Sequence, residues 1–327
     1  MAHPVPSGST TDASVELHDA LLAWLIAHPR GRLDAILTQM LKVDTAPQET
    51  HNTMDLETQQ QQVTQLKTWL DSFRPLSPAV VAELKQRYDV RFTYHSNAIE
   101  GNTLTQSETE LVLSRGITVG GKTLAEHLEA VGHKEAIDYI EALAQADTPI
   151  GEWEIRQIHN LVIRKLSPSE ADQYRQLDVK AAGTDHTYPP HYQIPQLMTE
   201  FAQWLNDTQQ PPLDYATEAH YRFVTIHPFR DGNGRTGRLL MNLLLLKAGY
   251  PTVVILNPQR QTYINALVQA QQSQHDLTAL KQLVLSCAQD SLIETLSVVA
   301  SAADSRARGL PFYQAVVSFL ENTEETP

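Results

Sequence analysis

The chain has 327 residues, 42% of them hydrophobic and 19% charged, a composition that excludes a disordered chain and suffices for one large domain or two modest ones. Its formal net charge of −13 argues against nucleic acid as a partner, because affinity for phosphate backbones is built from clustered Lys and Arg. A single cysteine, Cys287, excludes a disulfide framework and a thiolate metal site, and reads as a small buried apolar residue.

In chain order, the first thirteen residues are small and polar and lack the order of a secretion signal. No uninterrupted apolar run of about 18 residues occurs, so no membrane span is expected, and the expected location is the cytoplasm. Apolar residues recur at three-to-four spacing and alternating β-branched runs are scarce, so the fold class expected is all-α, mainly helical. Residues 15–28 and 33–43 read as two helices, and 44–53 as a polar linker. A glutamine run at 59–62 is expected on the exposed face of a helix ending near Phe73. Ser77 and Pro78 then cap and open a helix reaching about Tyr88. Further helix starts are marked at Thr123, Glu152, Ile194, Asp214 and Asn257, with a break at Gly249, Tyr250 and Pro251. Segment 179–195 does not fit a helix and is expected to form an extended hairpin or loop.

The sharpest chemical signal is HPFRDGNGRTGR, residues 227–238, set between an amphipathic run at 215–226 and an apolar run at 239–249. That order is helix, tight glycine loop, helix. Gly232 and Gly234 remove side chains so that backbone N–H groups can approach a ligand, and the helix N-terminus beyond them favours phosphate. Arg235 and Arg238, three apart, share a helix face and suit a triphosphate. Asp231 is placed for a magnesium ion held by one carboxylate plus phosphates. His227 closes the preceding helix, and an imidazole can accept a hydroxyl proton at neutral pH. Together these suit attack by an alcohol on a phosphate of a bound nucleotide. The remaining histidines, His127, His133 and His159 among them, show no zinc-binding spacing.

The same segment matches HPFx(D/E)GNGRxxR at every fixed position, and the chain resembles the Fic family over roughly residues 92–287. The resemblance implies a mainly helical Fic fold with a small β-hairpin flap. It implies a protein adenylyltransferase that moves AMP from ATP, with magnesium, onto a Ser, Thr or Tyr hydroxyl of a target protein, the chain itself included. His227 would be the base, Asp231 the metal ligand, and Gly232, Asn233 and Gly234 the anion hole. Arg235 and Arg238 would hold the phosphates, with Phe229 as a core anchor and Pro228 as a structural residue. Tyr263 is a candidate for lining the adenine pocket, and Gln271 stands where relatives often place an Asn near the base.

A second motif, Ser96 to Gly101, fits the (S/T)xxxE(G/N) pattern of the N-terminally inhibited class of Fic proteins. Glu100 would occupy Arg238 and so hold ATP in an unproductive pose, with Ser96 tethering the inhibitory helix. Similar proteins bind the target's backbone by strand addition to a flap, here expected around Thr184, Asp185, His186, Thr187 and Tyr188. The resulting organisation is a tail, helical pair and linker over 1–53, and the region carrying the inhibitory helix over 54–122. A catalytic core over 123–290 and C-terminal helices over 291–327 complete it. The same residues could serve AMP removal, with Glu100 positioning water and His227 as acid; the intact GNGR core favours transfer. A non-catalytic Fic-fold regulatory module would normally have lost the base or an arginine, and both are present. A homodimer contact is one role open to the N-terminal helices.

Overall fold

The computed structural model describes residues 56–180, 186–207, 209–273, 275–303 and 305–324; the two helices and linker expected over 1–53 lie outside the described residues. Met54–Leu310 form one compact unit. It opens with α1, Leu56–Ser72, which carries the glutamine run. Consecutive residues advance about 100° around a helix, so four of them cannot share one face. Gln61 is exposed while Gln59 is buried, which corrects the expectation of a fully exposed run.

Helix α2, Pro78–Ile99, starts where the sequence marks it, with the Ser77 hydroxyl accepting the Val80 N–H at 3.4 Å. It continues well past the end expected near Tyr88. Phe92, Thr93, His95, Ser96, Asn97 and Ile99 are all buried, so packing outweighs the weak helix propensity of Thr, Ser and Asn. Gly101, at φ 102°, ends it. Helices α3, Gln106–Arg115, and α4, Leu124–Gln145, each open on a capping box, Thr105 with Glu108 and Thr123 with Glu126. Helix α5 is Glu152–Ile163, and α6, Ile194–Asp207, follows a 3-10 turn at His191–Gln193. Helix α7, Pro212–Ile226, begins two residues before the expected Asp214, on a proline that suits a first turn. Next come α8, Asn233–Lys247, then a 3-10 turn at Asn257–Gln259, α9, Arg260–Gln272, and α10, Thr278–Ser301. Short α11, Ser305–Arg308, closes the unit. Of the second compact unit, the described part forms α12, Tyr313–Glu324.

The helix expected to carry the phosphate site, α8, is buried on every side from Arg235 to Leu245, its polar Arg235, Arg238 and Asn242 included. Helices α4, α5 and α7 pack around it, and α2 packs on α4 and touches α8. Behind them α10 packs on α1, α7 and α9. Unlike the expectation from uninterrupted apolar runs, α10 is long and apolar enough to cross a membrane by length and composition; 67% of that stretch is buried in the structure, as in a core helix. The boundary expected at 290 falls inside α10.

Among the described residues there is no strand. Of the segment expected to form a hairpin or loop, residues 186–190 are irregular and lead into the 3-10 turn, while 181–185 lie outside the described residues. Pro189 and Pro190 lack the N–H donors that a ladder needs.

Candidate active site

The glycine loop between α7 and α8 is held by its own short-range chemistry. Asn233 reaches back four residues: its Oδ1 accepts the Phe229 N–H at 3.0 Å and its Nδ2 donates to the Phe229 carbonyl at 2.8 Å. Phe229 is fully buried and stacks on His159 at 3.6 Å, with the rings 3° from parallel. His159 accepts the Asp172 N–H on Nδ1, so its Nε2 carries the hydrogen donated to the Asp231 carbonyl at 3.0 Å. Burial keeps that imidazole neutral, lowering its pKa to about 4. Gly232 sits at φ 77°, and a Cβ there would lie 2.9 Å from Ile163.

His227 caps the C-terminus of α7 in the left-handed region, at φ 51°. Its Nδ1 faces the Val224 carbonyl at 3.4 Å, so Nε2 is the ring nitrogen left to act as a base. The Tyr188 ring lies 4.3 Å from the imidazole. Burial lowers the His227 pKa to about 4; the Arg175 charge adds to this and the Val224 carbonyl opposes it. At neutral pH the group is therefore an unprotonated base.

Both arginines of the motif are buried and both meet a carboxylate. Arg238 donates through Nε to the Ser96 hydroxyl at 3.1 Å, and through Nη2 to the Ser96 carbonyl at 2.7 Å and to Glu100 Oε1 at 2.8 Å. A Cβ on Gly234 would lie 2.2 Å from the same Glu100 oxygen. The carboxylate of Glu100 thus rests on the first turn of α8, in the place that the loop and helix offer to an anion. Arg235, by contrast, turns toward α4 and pairs with Glu129 at 3.0 Å. The other Glu129 oxygen accepts from Asn102, just past the end of α2.

Comparison with known proteins agrees with this geometry. Residues 149–245 match the model of the Fic/DOC family. The chain is 37% identical over 217 residues to the protein adenylyltransferase Fic of Drosophila grimshawi, covering 65% of this chain and 44% of that protein. To the counterpart of Drosophila mojavensis it is 39% identical over 202 residues, 61% of this chain and 39% of that one. The solved Fic-1 fragment of C. elegans superposes with a TM-score of 0.68 at 27% identity, covering 76% of this chain and 74% of that chain. A Fic-domain signalling protein from Bacteroides thetaiotaomicron gives 0.68 at 27%, covering 75% of this chain and all of that one. Residues 149–245 of this chain carry a Fic/DOC domain. The chain spans less than half the length of the curated relatives it matches.

With the Fic fold in place, each expected site residue can be located. His227, Asp231, Gly232, Asn233, Gly234 and Arg238 come together around the start of α8, with Ser96 and Glu100 facing them from the end of α2. Arg235 belongs to the same turn but points at Glu129. Tyr263 departs from expectation: it is 2% exposed, its hydroxyl pairs with His220 Nε2 at 2.8 Å, and its ring lies beneath the Arg238 guanidinium. Helix α9 turns that side chain inward, so it presents no open face to a base. Gln271 lies by α7, its amide 3.4 Å from the Thr225 hydroxyl.

Thr184 and Asp185 lie outside the described residues. Thr187 is exposed, and the His186 ring meets Tyr188, which covers His227. Sequence reading missed Glu129 and Arg175 and set His159 aside. No local pattern marks them, because each acts across more than fifty residues.

For a metal, the exposed Asp231 carboxylate at the lip of the loop has the right chemistry, a hard oxygen donor beside a phosphate cradle. A cluster elsewhere, Asp89, Asp138 and Glu141, has ligand-like spacing, but the Lys85 and Lys134 ammonium groups already fill it.

Proposed function

We propose that this chain is a protein adenylyltransferase that carries its own brake. The observation that supports this best is the seating of Glu100 on Arg238 and against Gly234, at the glycine loop and helix N-terminus that suit phosphate. In the productive state the glycine loop and the α8 N-terminus hold the diphosphate of ATP, and Arg238, released from Glu100, takes the terminal phosphate. Asp231 would hold a magnesium ion, whose charge would offset that of the phosphates. His227 Nε2 accepts the proton of a Ser, Thr or Tyr hydroxyl on the target protein, this chain included. The hydroxyl oxygen then bonds to the α-phosphorus as the bond to pyrophosphate breaks. Drosophila relatives bearing the adenylyltransferase name support the reaction class.

Intact-protein mass spectrometry after incubation with ATP and Mg2+ tests this. Wild type, Glu100→Gly, and Glu100→Gly with His227→Ala are compared. An AMP-sized gain rising with Glu100→Gly and vanishing in the double variant is expected. No gain in any form, with lysate as target and other nucleotides supplied, refutes transfer. AMP removal from a modified protein is the next reaction to assay.

A further inference from the structure

Outside the glycine loop, one buried cation touches the base's own peptide, and the sequence motifs do not single it out. Arg175 follows α5 on the irregular segment before Tyr188, is 4% exposed, and directs its hydrogen bonds at backbone carbonyls. Its Nε donates to the His227 carbonyl at 2.8 Å, and its own backbone N–H donates to the Pro228 carbonyl at 2.9 Å. Nη1 donates to the Leu177 carbonyl at 3.1 Å and Nη2 to the Pro189 carbonyl at 2.5 Å. The nearest carboxylate, Asp178, is 3.8 Å away and 70% exposed, and it receives the backbone N–H of His191.

We infer that Arg175 is a positioning residue for the reaction: one guanidinium fixes the peptide of His227 and the segment bearing Tyr188 in a single mutual arrangement. The inference rests on the adenylyltransferase reading of the site. Two physical needs converge on this residue. The last carbonyls of α7 have no partner within the helix and lie at its negative end, so a cation there satisfies and stabilises them. His227 also sits at φ 51°, a conformation that a non-glycine residue keeps only when its surroundings hold it.

Three carbonyls on separate stretches of chain, 177, 189 and 227, are reached at once by the planar fork of five donors. An ammonium group is a single point and cannot span them. With Leu177 and Pro189 pinned, Tyr188 lies over the imidazole at 4.3 Å. The Arg175 side chain hydrogen-bonds to His227, Leu177 and Pro189 and not to Arg238 or the Gly232–Gly234 turn, so it governs where the base stands and leaves the phosphate cradle alone.

The test is made in the Glu100→Gly background with Arg175→Gln and the milder Arg175→Lys. Calorimetry reads ATP affinity, mass spectrometry reads AMP transfer, and hydrogen exchange reads the backbone. Misplacing a catalytic group by about 1 Å costs on the order of 100-fold. Arg175→Gln is therefore expected to lower kcat by about that factor, while KM and Kd for ATP stay within about twofold. Arg175→Lys should recover part of the loss, since an ammonium still caps the helix end. Exchange should rise together in residues 186–193 and 227–232 of both variants. A kcat within about threefold of the parent, or a loss of ATP affinity matching the loss of rate, overturns the inference. Should the parent itself transfer no AMP, the transferase reading fails, and exchange decides this one: unchanged protection in those two segments refutes it. If Arg175→Gln does not fold, Arg175→Lys is read by the same criteria.

Discussion

Replacing Glu100 with Ala should raise ATP affinity by an amount that the ion pair sets. Glu100 Oε1 accepts from Arg238 Nη2 at 2.8 Å, with the arginine side chain 2% exposed and the glutamate side chain 36% exposed. A hydrogen bond between charged groups contributes about 1.5–3 kcal/mol, and the exposure of Glu100 discounts it to the lower part, about 1.5–2 kcal/mol. At about 1.4 kcal/mol per factor of ten, freeing Arg238 for the terminal phosphate corresponds to roughly 10- to 30-fold in ATP affinity. Removing the side chain also clears the space beside Gly234. Glu100→Gln keeps that volume and removes only the charge, so about threefold is expected from it. Titration calorimetry with ATP and Mg2+ reads both variants against wild type. Arg238 keeps its two bonds to Ser96 in each, so the fold should survive. Affinity in Glu100→Ala within twofold of wild type would refute the reasoning, because it would mean that the pair does not compete with phosphate.

Three further outcomes follow from the same geometry. Gly234→Ala places a Cβ 2.2 Å from Glu100 Oε1 and 3.1 Å from Arg238 Nη1, so it should displace the glutamate yet block phosphate itself. AMP transfer should therefore stay absent even when combined with Glu100→Ala, and recovery of transfer would count against the cradle. His159→Phe preserves a ring against Phe229 but strands the Asp172 N–H and the Asp231 carbonyl, at a cost of about 2–4 kcal/mol. Chemical denaturation should show that loss, with ATP binding weakened alongside it. His95, His159 and His220 are buried, and burial lowers each from the ordinary 6.5 to about 4. Between those values the unfolded chain binds protons that the folded chain refuses, so stability is full above pH 6.5 and falls as pH falls toward 4. The slope is up to about 1.4 kcal/mol per pH unit for each histidine. Denaturant midpoints at pH 7.5, 6 and 5 check this, and a constant midpoint would contradict it.

Much of the site is readable in the chain because its parts are neighbours in sequence. Asn233 closes its loop on Phe229, four residues away, and His227, Asp231 and Arg238 fall on one helix–loop–helix unit whose geometry is nearly local. Capping residues mark helix starts for the same reason: Ser77 and Thr123 bond within three residues of themselves. The pattern of Ser96 and Glu100 likewise points to Arg238, through family resemblance, and the Glu100 and Arg238 side chains do meet.

Where burial or distant partners decide the structure, the chain is silent. Helix α2 runs on to Ile99 because its late residues are packed, not because their propensity demands it. Tyr263 lies under Arg238 rather than open to a base, which helical periodicity alone cannot distinguish. Arg235 faces Glu129, 106 residues away, and the identity of that partner depends on how α4 lies against α8. Arg175 reads as one more polar residue in a loop until three carbonyls converge on it. By itself the sequence determined the helical class and the local chemistry of residues 227–238, since spacing within one loop sets both. Only the tertiary structure decided which carboxylate occupies Arg235 and what holds the base in place, because those contacts join segments whose separation along the chain carries no information about their distance in space.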